Sequence, residues 1–217
     1  MTKKKMSITP LFANPLMQVQ LDYDLEKLTE FAFQLQDKDK KGVQFSNKGG
    51  YHSNSQIYIQ EKKHEEFIGL KKEINQYLQI YYSEVFRGMT FKGKGNISQS
   101  INGMWVNINE KGHYNEWHIH SFSTLSGVYY IKHDGSDENG NILFKHPNHP
   151  YTNLIHWPPK LVEKTNEVTS EIVNVTPKSN MLLIFPAWLE HKAEVNLKND
   201  SRISLSFNSE PILEEKS

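Results

Sequence analysis

Three histidines and one arginine carry most of the chemistry this sequence could do. The segment Glu116-Trp117-His118-Ile119-His120 follows a β-patterned run around Trp105 to Asn109. On a strand, residues two apart share a face, so His118 and His120 are expected to project to one side and Ile119 to the other. His191 comes much later, just past the apolar stretch Met181 to Phe185. Two imidazoles from one strand and a third from a distant one would grip a metal ion and leave its opposite face open. A His-x-His step alone is a weak signal, because short motifs recur by chance. His52, His64, His133, His146, His149 and His156 read as ordinary exposed or hydrogen-bonded histidines. Glu116, two residues before His118, is the fallback carboxylate ligand.

Arg202 opens the run Arg202-Ile203-Ser204-Leu205-Ser206-Phe207-Asn208. Alternation groups Arg202, Ser204, Ser206 and Asn208 on one face and Ile203, Leu205 and Phe207 on the other. An inward guanidinium is costly without a partner, and its own strand offers no acid on that face. A carboxylate ligand would satisfy it with two parallel hydrogen bonds, and Ser204 could donate to the same oxygens. A diacid held there by one end could chelate a metal by the other. The competing reading places Arg202 at a rim, paired with Glu194 or Glu171.

These residues need a scaffold. Leu25 to Gln36 and Glu65 to Phe86 space their apolar side chains at intervals of three and four, which predicts two amphipathic helices. Phe45 to Ser53, with Gly49-Gly50, reads as a loop. From Ile97 the pattern changes to period two. Trp105, Asn107 and Asn109 then point one way, and Met104, Val106 and Ile108 the other. Ser126 to Ile131, Ile142 to Phe144, Glu171 to Val175, Met181 to Phe185 and Arg202 to Phe207 are further short strands separated by turn-rich segments. Many strands without intervening helices predict a mainly β protein with some α. The expected architecture is a double-stranded β-helix, or jelly roll, with an N-terminal helical layer. It is read as a single domain over 1–217, with 1–95 as the helical layer and 96–210 as the jelly-roll core. The Gly49-Gly50 loop and the polar stretch from His133 to Asn153 are expected to rim the site.

Composition narrows the function classes. Of 217 residues 37% are hydrophobic and 23% charged, as in an ordinary globular chain with a core. Lys plus Arg and Asp plus Glu are both 25, so no overall basic field favours nucleic acid. The absence of cysteine removes disulfides, thiolate metal sites and cysteine nucleophiles. No apolar run approaches membrane-spanning length and no signal peptide is visible, so a cytoplasmic location is expected. A homodimer has no signature for or against it.

The set as a whole resembles the 2-oxoglutarate/Fe(II)-dependent oxygenases. It is most similar to a group of such oxygenases from bacteria and their viruses. The resemblance rests on Trp105-Val106-Asn107, His118-Ile119-His120, Ser126-Gly127-Val128-Tyr129-Tyr130, Phe185-Pro186-Ala187-Trp188-Leu189-Glu190-His191 and Arg202-Ile203-Ser204-Leu205-Ser206-Phe207-Asn208, in that order. Pro10-Leu11-Phe12 and Ser46-Asn47-Lys48-Gly49-Gly50 extend it towards the N-terminus. The resemblance implies that His118 and His191 bind Fe(II), and that Arg202, helped by Ser204, binds the far carboxylate of the co-substrate 2-oxoglutarate. Asn107 and either Tyr129 or Tyr130 would add hydrogen bonds. His120 stands where the wider superfamily carries Asp or Glu, so it is expected either as a third imidazole ligand or beside a metal-bound water. Ser179-Asn180 stands where a glycine is usual, and Lys145-His146-Pro147 where an acid often precedes the proline.

The implied activity is oxidation by molecular oxygen of a small-molecule or protein substrate, with hydroxylation as the default and halogenation, desaturation or demethylation open. Two other readings compete. One is a three-histidine dioxygenase that needs no 2-oxoglutarate. The other is a non-enzymatic jelly-roll binding module that uses exposed aromatics such as Tyr114, Trp157 and Trp188.

Overall fold

The computed structural model describes residues 12–43, 46–89, 95–148, 163–166 and 168–215. His149, His156 and Trp157, the end of the polar stretch reaching Asn153, and Pro10-Leu11 lie outside the described residues. In chain order the elements begin with β1 (Met17–Gln20), α1 (Leu25–Lys38), β2 (Asn47–Lys48), β3 (Tyr51–His52), α2 (Ile57–Gln60) and α3 (Glu65–Val85). They continue with β4 (Gly95–Asn109), β5 (Tyr114–His118), β6 (Leu125–Lys132), β7 (Ile142–Lys145), β8 (Ile172–Val175), β9 (Met181–Pro186), β10 (His191–Ala193) and β11 (Arg202–Glu215).

The strands form two antiparallel sheets, one in the order β1-β9-β6-β11-β4-β3 and one in the order β2-β5-β10-β7-β8. From β4 onward the chain passes back and forth between them. The result is a jelly roll, with β4, β11, β6 and β9 facing β5, β10, β7 and β8.

Alternation explains how the larger sheet serves two masters. On β4 and β11, Met104, Val106, Ile108, Ile203, Leu205 and Phe207 are buried in the main core. The helices cover that face with Leu28, Phe31, Phe67, Leu70, Ile74, Leu78 and Tyr81. Both long helices start on capped ends. The Asp24 carboxylate accepts from the Glu26 and Lys27 amides at 3.1 and 3.2 Å, and His64 Nδ1 accepts from the Phe67 amide at 3.3 Å. The opposite face of the sheet, carrying Trp105, Asn107, Asn109, Arg202, Ser204, Ser206 and Asn208, lines a cavity between the sheets. A smaller apolar cluster of Val128, Ile142, Phe144, Leu183, Phe185 and Leu189 closes the space beside it.

The N-terminal part is not purely helical. β1 extends the larger sheet beside β9, and the segment read as a loop is the pair β2 and β3, which joins one strand to each sheet. Asn47 pairs with Asn115 and His52 with Asn107, so this segment wraps around the cavity edge. Local sequence could not show this, because a polar, glycine-rich stretch becomes a strand only through its distant partners. Asn180, in the Ser179-Asn180 pair, adopts φ +66°, a left-handed conformation that asparagine tolerates well.

Candidate metal centre

His118 ends β5 and His191 begins β10, and the two are direct cross-strand partners with ring centroids 4.4 Å apart. His120 was expected on the same strand as His118 but lies two residues beyond its end. It is fixed there by its amide, which donates to the Ala187 carbonyl at 2.9 Å in the loop leading to His191. Its ring centroid lies 5.0 Å from that of His118 and 5.2 Å from that of His191. One ring nitrogen from each of the three falls within 4.8 Å of the others. Ile119, expected on the opposite side, is 51% exposed and contributes to the cavity wall instead.

The ring protons are positioned for ligation at two of the three histidines. His118 Nδ1 lies 2.7 Å from the Glu116 carbonyl, and His191 Nδ1 lies 2.8 Å from the Leu189 carbonyl. A carbonyl oxygen only accepts, so each Nδ1 carries the hydrogen and each Nε2 presents its lone pair. Burial disfavours the charged form of all three rings, and the neighbouring imidazoles add repulsion at His120 and His191. His120 is pushed down to about 3, and His118 and His191 also fall below the usual histidine value. Neutral imidazoles with free lone pairs are what a divalent transition metal requires.

Glu116 is not part of this group. The β5–β10 ladder shifts register between His191, opposite His118, and Ala193, opposite Asn115. The extra residue in β5 puts Asn115 beside His118 on the cavity face and turns Glu116 outward, where it is exposed.

Beside the histidines lies a cavity of about 420 Å³. Arg202 is buried within its wall, 2% exposed, rather than at a rim. Its Nη1 donates to the main-chain carbonyls of Asn139, Gly140 and Glu194 at 3.1, 3.0 and 2.8 Å. The Glu194 contact is thus through the main chain. Nη2 is buried and has no hydrogen-bond partner among the described residues. A Cβ at Gly140 would run into Nη1, so the glycine makes room for the guanidinium. Burial lowers the Arg202 pKa, and nearby Tyr130 and Glu194 oppose that shift. The geometry is that of a cation held by neutral dipoles with one donor edge left for an anion.

Ser204 sits between Asn107 on β4 and Tyr130 on β6, one row across the sheet, and all three line the cavity. Asn107 donates to Ser206 Oγ at 3.1 Å, and the other end of its amide is buried without a partner among the described residues. Tyr129 faces the helical core instead, where its hydroxyl donates to Asn180 Oδ1 and its ring packs edge-on to Tyr23. Tyr129 is therefore removed from the co-substrate contacts, and Tyr130 remains. His52, read from sequence as an ordinary histidine, is buried in the cavity wall and stacked on Trp105 at 5.4 Å. Trp105 in turn lies 5.7 Å from His120. Only the pairing of β3 with β4 brings His52 there, and no local signal announces it.

No curated protein matches the chain. Solved structures do. A Pseudomonas putida prolyl-4-hydroxylase superposes with a TM-score of 0.58 at 13% identity, covering 90% of this chain and 92% of that one. The epimerase SnoN, in complex with Fe3+, alpha ketoglutarate and nogalamycin RO, superposes with a TM-score of 0.60 at 12% identity, covering 92% and 81%. HygX from Streptomyces hygroscopicus, with nickel and 2-oxoglutarate bound, gives 0.56 at 11% identity, covering 90% and 82%. At such identities these likenesses establish the fold. A family model described as "Putative 2OG-Fe(II) oxygenase" matches residues 103–208. Over that stretch, which carries the three histidines, Arg202 and most of the wall around them, the chain is similar to the 2OG-Fe(II) oxygenases.

Proposed function

We propose that His118, His120 and His191 hold the iron(II) of this oxygenase, and that Arg202 holds the far carboxylate of 2-oxoglutarate with help from Ser204, Asn107 and Tyr130. The observation that carries this reading is the buried, unpartnered Nη2 of Arg202 in the same cavity as three convergent neutral imidazoles. A buried donor of this kind costs several kcal/mol if it stays unpaired, on the order of 1–3 for a neutral group and more for a charged one. A carboxylate removes that cost. Iron(II), when bound there, supplies the oxygen chemistry that couples 2-oxoglutarate oxidation to oxidation of a substrate carbon.

The chain's own residues bind and orient. His118 and His191 keep their Nε2 lone pairs aimed inward through hydrogen bonds to main-chain carbonyls. Arg202, pinned on one edge by three carbonyls, offers the other edge to a carboxylate in fixed geometry. The Tyr130 hydroxyl keeps its proton, because burial raises its pKa despite the guanidinium nearby, and so remains a hydrogen-bond donor. Trp105, Val128 and Phe185 narrow the cavity and limit water. Hydroxylation of a small molecule or a protein segment reaching the cavity mouth is the proposed outcome.

A three-histidine dioxygenase without 2-oxoglutarate leaves the Arg202 donor edge unused, and a simple binding module also leaves the histidine cluster unused. Oxygen uptake and succinate formation by the iron-loaded protein, with and without 2-oxoglutarate, separate these readings. Uptake that requires 2-oxoglutarate and yields succinate is expected. Uptake that ignores 2-oxoglutarate would favour the first rival, and absence of stoichiometric iron the second.

A further inference from the structure

His120 differs from the other two histidines in what its second nitrogen meets. His118 and His191 each turn Nδ1 to a main-chain carbonyl. His120 Nδ1 lies 3.4 Å from Nδ2 of the Asn208 side-chain amide. Among the described residues Asn208 is the hydrogen-bonding side chain on this ring. The far end of the Asn208 amide meets Ser126 Oγ at 2.7 Å, and the two residues are direct cross-strand partners on β11 and β6. On its other side Asn208 pairs with Gly103, and the register breaks immediately after it, Ser209 pairing with Ile101. Asn208 thus sits at a bulge, in the last row before the alternation changes phase.

An amide presents either of two chemistries. With Nδ2 towards His120, the ring must accept at Nδ1, its hydrogen sits on Nε2, and that nitrogen cannot bind a metal. With Oδ1 towards His120, Nδ1–H donates and Nε2 is free. Turning the amide over exchanges these states by swapping Oδ1 and Nδ2 with every other heavy atom in place, and the Ser126 hydroxyl, both donor and acceptor, fits either end. Neither His118 nor His191 has such a choice, because a carbonyl cannot donate.

We infer that Asn208, braced by Ser126, is the positioning residue that selects which nitrogen of His120 carries the proton, and so whether the centre has three imidazole ligands or two. This rests on the reading of the three histidines as a metal site. It also gives His120, which stands where the superfamily usually has a carboxylate, a ligand strength set from the neighbouring strand.

The test is anaerobic calorimetric titration of Co(II) into the metal-free full chain without 2-oxoglutarate, together with the ring-nitrogen chemical shifts of His120 in the metal-free protein. Asn208→Asp fixes an acceptor beside Nδ1 and should bind Co(II) at least as tightly as wild type. Asn208→Leu removes the acceptor and should weaken binding by about tenfold, the lower end of what outer partners of a metal ligand contribute. Ser126→Ala frees the amide and should fall between them, and it serves if the leucine variant does not fold. In a His120→Ala background all three substitutions should leave Co(II) affinity unchanged. Equal affinities for Asn208→Asp, Asn208→Leu and wild type, or a difference that persists without His120, overturn the inference while the metal site stands. Wild-type protein that takes up no Co(II) overturns both.

Discussion

Removing the Arg202 side chain takes away the one charged donor that, among the described residues, is buried in the cavity wall without a partner. Arg202→Ala is expected to weaken 2-oxoglutarate binding by roughly 1.5–3 kcal/mol, about 10- to 150-fold, the worth of hydrogen bonds to a charged group. Metal affinity, measured by the same calorimetry, should hardly change. The two tyrosines give a sharper comparison. Tyr130→Phe should weaken 2-oxoglutarate binding by about 0.5–1.5 kcal/mol. Tyr129→Phe should leave binding alone and lower the urea midpoint instead, because its hydroxyl bonds to Asn180 in the helical core. The inward Arg202, Ser204 and Asn107 were legible from strict alternation on β11 and β4. The choice between Tyr129 and Tyr130 was not, since adjacent residues exchange faces with a one-residue change of register. The β11–β6 ladder makes such a change between Ile203, opposite Lys132, and Ser204, opposite Tyr130. Glu116 was misplaced for the same reason, through the irregularity in β5.

Among the elements, the two long helices were legible because their apolar spacing repeats over many residues, and Leu28, Phe31, Phe67, Leu70 and Ile74 are indeed buried. Phe67→Ala should cost about 3–5 kcal/mol in a denaturation experiment, as for other large core truncations, without altering 2-oxoglutarate affinity in the folded protein. β6 is packed on both sides and reads as buried almost throughout. At Gly127 a Cβ would meet the Phe207 ring, and the Leu183 carbonyl at 2.5 Å. Gly127→Ala should therefore destabilise by about 1–3 kcal/mol, the usual penalty of overpacking, read from the shift in urea midpoint. The strands β1, β2 and β3 left no comparable sequence signal. They are short and find their hydrogen bonds with strands far along the chain. His52, carried by β3, was hidden with them.

For the molecule as a whole, the histidine cluster couples folding to pH. His118, His120, His133 and His191 all have folded-state pKa values lowered by burial, His120 to about 3. The unfolded chain gains protons below the ordinary value of 6.5 while the folded chain does not. The metal-free protein should therefore lose stability as pH falls below 6.5, by up to about 1.4 kcal/mol per pH unit for each such histidine until that group protonates in the folded state as well. Urea midpoints at pH 7.5 and 5.5 read this directly, and His120→Ala should flatten the dependence. The jelly roll itself was legible from the succession of short strands, but the order in which they pair was not, because that order is set by contacts remote in sequence. The proposed function requires that one cation and one diacid share the cavity between the sheets. Calorimetric titration of 2-oxoglutarate into iron(II)-loaded and metal-free protein under nitrogen, repeated with His191→Ala, reads that sharing. One equivalent should bind tightly to the loaded wild type, with much weaker binding when either the metal or His191 is missing. Equal binding in all three samples, or none in any, would contradict it.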